Sequence, residues 1–423
     1  MENKDVLGRK GATRRVFLSA SAVTAVAAPL LSGTALAETD PALARPAPDD
    51  GLRALLRDID PDRIKATILR LVQFGTRHTA SSQTDPVRGI GAATAWVYSQ
   101  MQAIAATSSG RMTVQKQTFV QPVASNIPVP TTITNVIATL KGTASPERFY
   151  VITGHLDSRV TDVLNFTSDA PGADVQGMFS NDIVGASQAW DGTRPDPRTV
   201  RLFVEGIPTA VTPAQISVMQ SVGGENDGMT HQLARFVADV APFSLTGMNI
   251  RVIWRRDRYL RGSDHISFQA QGYPAARFTE PRENFNHEHR DVAVINGVQF
   301  GDLAEFVDFN YVARVAKVNG AALWALATNP GTPKNLLIHV TPPAGFSGIN
   351  TTTLSWDANP EPDLAGYEVV MRETTSPDWT SAVGVGNVTT VTLNISKDNV
   401  QFGLRAVDKS GHRSPAAFPQ VAA

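Results

Sequence analysis

The chain has 423 residues, too many for one ordinary domain, and 42% of them are apolar, which is enough for a substantial core. Its formal net charge of −1 gives no reason to expect a nucleic acid or an anionic membrane as partner. It contains no cysteine, which excludes disulfides, thiolate nucleophiles and cysteine-held metals, so any metal must be held by His, Asp or Glu.

The first residues have the features of an export signal. Arg14 and Arg15 precede an apolar run over 16–31, and a small-x-small cleavage pattern follows that run. The run is shorter than the ~20 residues that a spanning helix needs. The pattern predicts a twin-arginine-type signal peptide over 1–37, export to the periplasm or the extracellular space, and no stable membrane insertion; a short membrane anchor is the competing interpretation. Residues 38–54, rich in Pro and Asp, are predicted to be a disordered lead-in.

Residues 55–328 alternate between helix and strand patterns. Apolar spacing predicts helices at 59–74, 87–105, 229–240, 264–271 and 303–327, and strands at 112–120, 134–141, 149–153, 248–254 and 275–278. The strand 149–153 (FYVIT) is continuously apolar, as buried parallel strands are. The alternation indicates an α/β domain with a mostly parallel sheet flanked by helices.

The composition changes at 329–334, where Pro and Gly predict a linker. Residues 335–423 contain short alternating strands separated by turn residues, a rhythm that predicts a small all-β sandwich. Trp356, Tyr367 and the closing run RAVDKSG resemble a fibronectin type III module. No metal-binding or catalytic group stands out in this module, and an adhesive or spacer role is expected by analogy alone.

Candidate catalytic chemistry begins where the strand 149–153 ends. His155 and Asp157 are two residues apart, so they project to the same face of an extended segment. They also follow a buried strand, and open α/β sheets bind their ligands at the carboxyl ends of strands. On its own, this pair is equally consistent with a structural hydrogen bond.

Further carboxylates and imidazoles follow other apolar runs. They are Asp169, Asp174, Asp182, Glu280, Glu283, His287, His289 and Asp291. Asp182 ends the run FSND, and the group from Glu280 onward follows the strand at 275–278. Side chains of these types at successive strand ends form the ligand set that a pair of zinc ions prefers.

Five motifs together are similar to those of the co-catalytic zinc aminopeptidases, metallopeptidase family 28. They are GHLDSR, DAPGAD, MFSNDIVG, GSDH and NFNHEHRD, and the resemblance covers about residues 55 to 328. It implies the zinc exopeptidase fold, two zinc ions and an exported enzyme that removes N-terminal residues from a peptide or protein substrate.

The resemblance also implies a role for each matching residue. His155 would bind one zinc and be oriented by Asp157, as metal-bound imidazoles require. Asp182 would bind one metal and His287 the other. His287 is preferred over His289 because the family has a His followed four residues later by Asp, which Asp291 satisfies.

The GSDH turn lines the substrate pocket in that family. Asp264 and His265 of this chain would therefore belong to the pocket. The alternative for the two residues is a helix N-cap beside a partly buried histidine.

The sequence departs from the family after the acidic loop. In the family a second acidic residue, a helix, a strand ending in Glu-Glu and another helix follow, whereas here Asp174 is followed directly by VQGMFSND. The resemblance therefore implies a deletion near 174–175 that removes the general base and one zinc ligand. Asp174 remains as a possible bridging ligand, although it aligns better with the residue before that position. Glu225 and Glu280 are the remaining candidates for the base.

The deletion has a structural consequence. One central strand is expected to be missing, and residues 158–174 must join two parallel strands without a helix signal. Two interpretations of function follow. The first is an exported zinc aminopeptidase with impaired activity and two, one or no zinc ions. The second is a non-catalytic peptide-binding or cell-surface protein on a degenerate peptidase scaffold.

Overall fold

The computed structural model describes residues 49–124, 127, 129–158, 174–189, 191–340 and 350–422. The predicted signal peptide and the lead-in up to residue 48 lie outside these residues, as does most of the acidic loop before Asp174. The prediction of disorder is wrong for residues 50–54, which form the first helical turn after Asp49, because the Asp49 carboxylate caps the helix and Leu52 is buried. Within the described ranges, no helix is long and apolar enough to cross a membrane.

Eight α-helices are described. They are α1 Asp50–Asp58, α2 Pro61–Gln73, α3 Gly89–Ala106, α4 Pro213–Val222, α5 Met229–Val240, α6 Phe243–Thr246, α7 His265–Ala270 and α8 Phe309–Thr328. The long C-terminal helix begins six residues later than predicted, because the Asp308 carboxylate caps it by accepting a hydrogen bond from the backbone N–H of Tyr311. Residues 304–306 ahead of the cap form a 3₁₀ turn instead.

In the described residues before the linker, there are nine strands. They are β1 Met112–Gln121, β2 Thr131–Leu140, β3 Arg148–Gly154, β4 Asp174–Asn181, β5 Thr199–Val204, β6 Asn249–Ile253, β7 Ala275–Thr279, β8 Ala293–Ile295 and β9 Val298–Phe300. The helices and strands predicted before the linker are present, most of them with shifted ends. The elements that were not predicted are α1, α4, α6, β4, β5 and the β8–β9 hairpin.

The central sheet has the order β3-β4-β7-β5-β6. Three of its four strand pairings are parallel, and β5 pairs antiparallel with β7. The sheet is therefore mixed, with β3 at one edge. Strands β1 and β2 form a separate antiparallel pair instead of extending this sheet.

The main core lies between the sheet and helices α5 and α8. Tyr311, Val318 and Ala321 of α8 are fully buried there, as is Leu202 of β5. Packing is poorer beyond β3. Ile152 is 49% exposed, and no residue of α2 is buried.

The residues beyond the linker form an all-β sandwich. Its strands are β10 Leu337–His339, β11 Thr352–Ser355, β12 Leu364–Glu373, β13 Ser381–Gly386, β14 Thr390–Leu393, β15 Val400–Asp408 and β16 Gln420–Val421. They form two sheets, with the orders β14-β11-β10-β16 and β13-β12-β15. Trp356 and Tyr367 pack edge to face in the core between them, with ring centroids 5.3 Å apart.

The sandwich is attached to α5 by buried ionic contacts. The Asp227 carboxylate accepts hydrogen bonds from Arg235 of α5 at 2.8 Å and from Arg372 of β12. Both guanidiniums lie near the Trp379 ring, and the Trp379 indole donates to Gln232 at 3.1 Å. We call Asp227, Arg235 and Arg372 the Asp227 cluster. It fixes the sandwich on the α/β domain.

Candidate functional site

The candidate site lies where β3 and β4 end. Gly154, the last residue of β3, pairs with Asn181, the last residue of β4. His155 and Asp182 follow these two residues and therefore leave neighbouring strands at the same edge of the sheet. This is the position at which open α/β sheets bind ligands.

His155 contacts a residue predicted for the substrate pocket. Its Nε2 lies 3.2 Å from Oδ1 of Asp264, whose side chain is only 11% exposed. That hydrogen bond is the main reason why the pKa of His155 is raised to about 9 in spite of burial, and the charges of Asp264, Asp182 and Asp157 add to it. A pKa raised in this way favours the protonated form of His155 at neutral pH, with Asp264 as its hydrogen-bond partner.

Asp157 is held by a hydrogen bond from another segment of the chain. The Thr79 hydroxyl, in the connection between α2 and α3, donates to Oδ2 of Asp157 at 2.8 Å. Arg77 of the same connection donates from Nε to the carbonyl oxygen of Leu156 at 2.9 Å. Asp157 acts on His155 through its charge, and its role in orienting that imidazole stays a prediction.

Asp182 is bound to a buried arginine that the sequence analysis did not single out. Arg277 of β7 is fully buried and donates from Nη1 to both oxygens of Asp257, at 2.9 and 3.0 Å. Its Nη2 lies 3.0 Å from Oδ2 of Asp182. We call Asp182, Asp257 and Arg277 the Arg277 cluster. A lone arginine in the apolar run AARFT was the signal that could have revealed it.

The backbone beside Asp182 adopts an unusual conformation. Ile183 has φ +58°, in the left-handed region that β-branched residues avoid. Its carbonyl oxygen accepts hydrogen bonds from the Glu280 backbone N–H at 2.8 Å and from the Thr279 hydroxyl at 3.0 Å. Strain of this kind persists where the surroundings over-determine it, often at functional sites.

His265 faces the interior. It is fully buried, and its Nε2 lies 2.9 Å from the carbonyl oxygen of Arg256 and 3.5 Å from Oδ2 of Asp257. Burial lowers its pKa. Through its contact with Asp257, His265 packs against the Arg277 cluster. Its place in a substrate pocket stays a prediction.

The structure does not bring the other predicted ligands to His155. The His287 ring stacks on Phe306 with centroids 3.6 Å apart, and burial lowers its pKa while the charge of Asp302 opposes that shift. Asp174 begins β4 opposite Arg148, so its backbone lies at the other end of that strand, roughly 25 Å from Asp182 at the usual rise per residue.

The arrangement does not fit a pair of zinc ions. Among the described residues, no group of three His, Asp or Glu side chains is close enough to hold a metal ion. His155 is engaged by Asp264, and one oxygen of Asp182 is engaged by Arg277. The family ligand set is therefore not assembled by the described residues.

The two candidate bases occupy different regions. Glu280 follows β7, its carboxylate accepts from the Ala186 backbone N–H at 2.9 Å, and burial raises its pKa to about 8. Glu225 lies between α4 and α5, in the connection whose Gly223 carbonyl accepts from Gln401 of the sandwich. Of the two, only Glu280 leaves the sheet at the edge that carries Asp182, because β7 runs parallel to β4.

Comparison with known structures gives weak global likeness. The LapA aminopeptidase of Legionella pneumophila is 14% identical, with 69% of this chain and 78% of that chain covered and a TM-score of 0.40. A Fn3-like protein from Clostridium thermocellum is 20% identical over 22% of this chain and 95% of its own, with a TM-score of 0.18. No family model matches the chain.

Sequence relatives are much closer. A "probable zinc metalloprotease" of Leptosphaeria maculans is 44% identical over an alignment of 430 positions, which covers 89% of this chain and 98% of the relative. Another from Pyrenophora teres f. teres is also 44% identical, over 427 positions, 88% of this chain and 87% of the relative. Identity of this extent over nearly the whole relative shows that the chain belongs to this family of zinc metalloproteases.

Proposed function

We propose that this chain is an exported zinc exopeptidase of the aminopeptidase type, in metallopeptidase family 28, whose activity is impaired by an internal deletion. The observation that carries the proposal is 44% identity to zinc metalloproteases over an alignment in which about 54 positions have no counterpart in this chain. The identity supports the ancestry, and the unmatched positions support the impairment.

The number of unmatched positions follows from the length of the alignment and the share of the chain that it covers. It runs over 430 positions, whereas 89% of the 423-residue chain is about 376 residues, so about 54 positions have no counterpart in this chain. A helix–strand–helix unit has about this length. A loss of this size near 174–175 would remove the two adjacent glutamates that the family resemblance implies.

The fold supports the same location. The pair β1–β2 is separate from the central sheet, β3 is an edge strand, and Ile152 on it is half exposed. A strand that once lay beside β3 would account for all three features, because an edge strand with apolar side chains is otherwise covered or charged. Asp174, the last residue of the acidic loop, is also the first residue of β4. The loop therefore leads directly into β4, without the additional strand that the family has at this point.

The residues that remain at the site can bind but lack an assembled hydrolytic centre. Asp157, Asp182 and Asp264 all act on His155 through their charges, and one oxygen of Asp182 is also paired with Arg277. Carboxylates so placed attract the ammonium group of a peptide N-terminus. This favours the second candidate function, a peptide-binding protein without catalysis.

The test restores the missing unit. The segment of the Leptosphaeria maculans relative that has no counterpart here is inserted between Asp174 and Val175, and both mature proteins are purified with zinc. We expect the chimera to bind two zinc ions by elemental analysis and to release amino acids from aminoacyl-p-nitroanilides in a chelator-sensitive manner. Positioned acid–base catalysis contributes about 10²–10⁴-fold, so we expect the unaltered chain to be slower by at least that factor.

The outcomes separate the candidates. Chelator-sensitive release by the unaltered chain at the rate of the chimera would show that activity is not impaired. A chimera that binds zinc yet hydrolyses no peptide would contradict the aminopeptidase assignment. The matched control is the chimera with both restored glutamates replaced by glutamine, which should fold as the chimera does and lose activity.

Export is tested separately. Residues 1–37 fused to a folded reporter should direct it out of the cytoplasm. Replacement of Arg14 and Arg15 by lysine should retain the reporter inside the cell if the twin-arginine route is used. Export of the paired variant at the original level would contradict that route.

A further inference from the structure

Helix α5 connects the two folded regions of the chain. The Arg235 guanidinium donates to the carbonyl oxygen of Pro377 at 2.7 Å, and the Gln232 side chain accepts a hydrogen bond from the Trp379 indole. We call these four residues, together with the Asp227 cluster, the joint. Leu233 of the same helix packs in the main core instead. The helix therefore belongs to the α/β domain, and its polar side chains hold the sandwich.

The regions on the two sides of the joint have separate apolar cores. The main core and the sandwich core, which contains Trp356 and Tyr367, share no residue. Regions with their own cores can separate without unfolding. Local opening with a small free-energy cost is typical of such contacts. The joint is therefore the place where we expect the molecule to open first.

One buried group of the joint has no partner. The His231 side chain is fully buried, lies one helical turn before Arg235 and stacks on Trp254, with ring centroids 4.9 Å apart. The Arg235 guanidinium lies over the same Trp254 ring, 5.4 Å from its centroid. Among the described residues, neither ring nitrogen of His231 has a hydrogen-bond partner. Such an imidazole is neutral in the closed joint, because nothing compensates for the lost hydration of its charged form.

The charges around His231 also oppose its protonation while the sandwich is attached. Burial lowers the pKa of His231 to about 4, and Arg235 of α5 and Arg372 of β12 contribute to that shift, whereas Asp227 opposes it. The next carboxylate, Asp378, acts on Arg235 and is exposed to solvent. A protonated His231 therefore puts three cations around the single buried carboxylate of the joint.

We propose that the joint is sensitive to acid, and that protonation of His231 releases the sandwich from α5 while both regions stay folded. Release removes Arg372 from the surroundings of His231 and admits water to the side of α5 that carries His231 and Arg235. Both changes favour the imidazolium. The proposal does not depend on zinc or on catalysis, so it can fail or hold independently of the proposed function.

The direction of the pH dependence follows from proton linkage. His231 of the released form titrates near its ordinary value of 6.5, whereas the attached form takes up the proton only near pH 4. The ratio of released to attached molecules therefore rises as the pH falls below 6.5. Between pH 7 and pH 5 the rise is about 20-fold.

Hydrogen exchange of two indole N–H groups in the full mature chain tests the release. The Trp379 indole donates to Gln232 across the joint, so release exposes it to exchange. The Trp356 indole N–H is buried in the sandwich core, so it exchanges when the sandwich itself unfolds. NMR measures both protection factors against an unstructured tryptophan peptide at each pH.

Two results are expected of the unaltered chain. The Trp379 N–H should be less protected than the Trp356 N–H by about tenfold or more, because release requires no unfolding. Its protection factor should fall about 20-fold from pH 7 to pH 5. Equal protection of the two indoles at pH 5 would mean that the sandwich leaves α5 only when the chain unfolds, and would overturn the proposal.

Substitutions of His231 locate the effect. His231→Phe keeps an aromatic ring against Trp254 and cannot take up a proton, so the protection factor of Trp379 should change by less than about threefold between pH 7 and pH 5. His231→Met, of similar volume, is a second variant, and the protection of Trp356 shows whether each variant is folded. His78→Gln removes a histidine outside the joint and should reproduce the fall of the unaltered chain.

Two other carboxylates form ion pairs between the regions. Asp239 pairs with Arg405, and Glu361 pairs with Arg148. Ordinary carboxyl pKa values lie near 4, so the limit of pH 5 keeps their contribution small. A 20-fold fall that persists in both His231 variants would assign the pH dependence to such carboxylates and would overturn the proposal.

Discussion

Two buried ion clusters of this chain use the same side-chain types but are enclosed to different degrees. In the Asp227 cluster, one fully enclosed carboxylate lies between two arginines whose side chains are each 4% exposed. In the Arg277 cluster, one fully enclosed arginine lies between Asp257, which is 2% exposed, and Asp182, which is 17% exposed. The first is closed on all sides, and the second opens at Asp182 toward the candidate site.

The difference separates a structural cluster from one that supports a site. Every ion of the Asp227 cluster is used to join the sandwich to α5, and Arg235 and Arg372 also donate to backbone carbonyl oxygens of the segment 374–377. The Arg277 cluster holds one oxygen of Asp182, which is 17% exposed. Ligating carboxylates are commonly supported in this way by a hydrogen bond to the second oxygen. The sandwich is thus a fixed part of the fold, and the adhesive or spacer role expected by analogy stays a prediction.

The largest effect is expected from neutralising the centre of the closed cluster. Asp227→Asn leaves the buried Arg235 and Arg372 without their counter-ion and should lower the free energy of unfolding by about 5 kcal/mol. Chemical denaturation of the full chain measures it. Asp239→Asn is the control, since its ion pair with Arg405 lies at the rim with Asp239 32% exposed and should contribute about 1 kcal/mol or less. Equal losses in the two variants would show that the sandwich is held without the buried charges.

A slightly smaller effect is expected in the open cluster. Arg277→Met leaves Asp257 buried without its bidentate partner and should cost about 4 kcal/mol, because Asp182 can be rehydrated while Asp257 cannot. Adding Asp257→Asn should recover part of that loss, since removing both charges costs less than removing one. Arg251→Met, from a surface pair with Asp196 that is 55% and 30% exposed, is the control at about 0.5 kcal/mol. A double variant as unstable as Arg277→Met would contradict the ionic explanation.

A buried histidine near the Asp227 cluster predicts that the stability of the protein depends on pH. His231 of α5 is fully buried and stacks on Trp254, and burial, with a further contribution from Arg235, lowers its pKa to about 4. The unfolded chain therefore binds a proton at His231 near its ordinary value of 6.5, and the folded chain does so only near 4. Stability should fall by up to about 3 kcal/mol as the pH decreases from 6.5 to 4.

The variant His231→Phe isolates that contribution. Phenylalanine keeps the stacking on Trp254 and removes the titrating group, so the free energy of unfolding should decline less between pH 6.5 and pH 4. His78→Gln, on the connection between α2 and α3, is the control and should follow the unaltered chain. Identical pH profiles for His231→Phe and the unaltered chain would contradict the assignment.

Much of the fold followed from the sequence, and the exceptions have local causes. Strand β5 was missed because Arg201 interrupts its apolar run, and the structure shows that this arginine binds Glu283. The antiparallel pairing of β5 with β7 was not predicted, because strand direction depends on how long connections cross the sheet and not on periodicity. The start of α8 was predicted at residue 303, but the helix begins at Phe309 because Asp308 caps it.

The sequence predicted the site only for those residues that directly follow the end of a strand. His155 and Asp182 follow adjacent parallel strands, as the motif order indicated. Asp174 was expected in a loop but begins β4, so a residue assigned by family position lies at the other end of the strand. The partners Arg277 and Asp264 come from segments far along the chain, and their contacts depend on tertiary packing that local patterns do not encode.

The smallest effect is expected beside Asp182, where backbone strain offsets lost packing. Ile183→Gly removes a side chain but also relieves the left-handed conformation, which costs an L-residue about 1–2 kcal/mol, so stability should change by less than about 1 kcal/mol. Ile250 in β6 has an ordinary extended backbone and packs against the main core, so Ile250→Gly should cost at least about 2 kcal/mol. Denaturation of both variants compares them directly. Equal losses would mean that Ile183 is not strained, and that the conformation next to Asp182 is an ordinary turn without consequence for how its carboxylate is held.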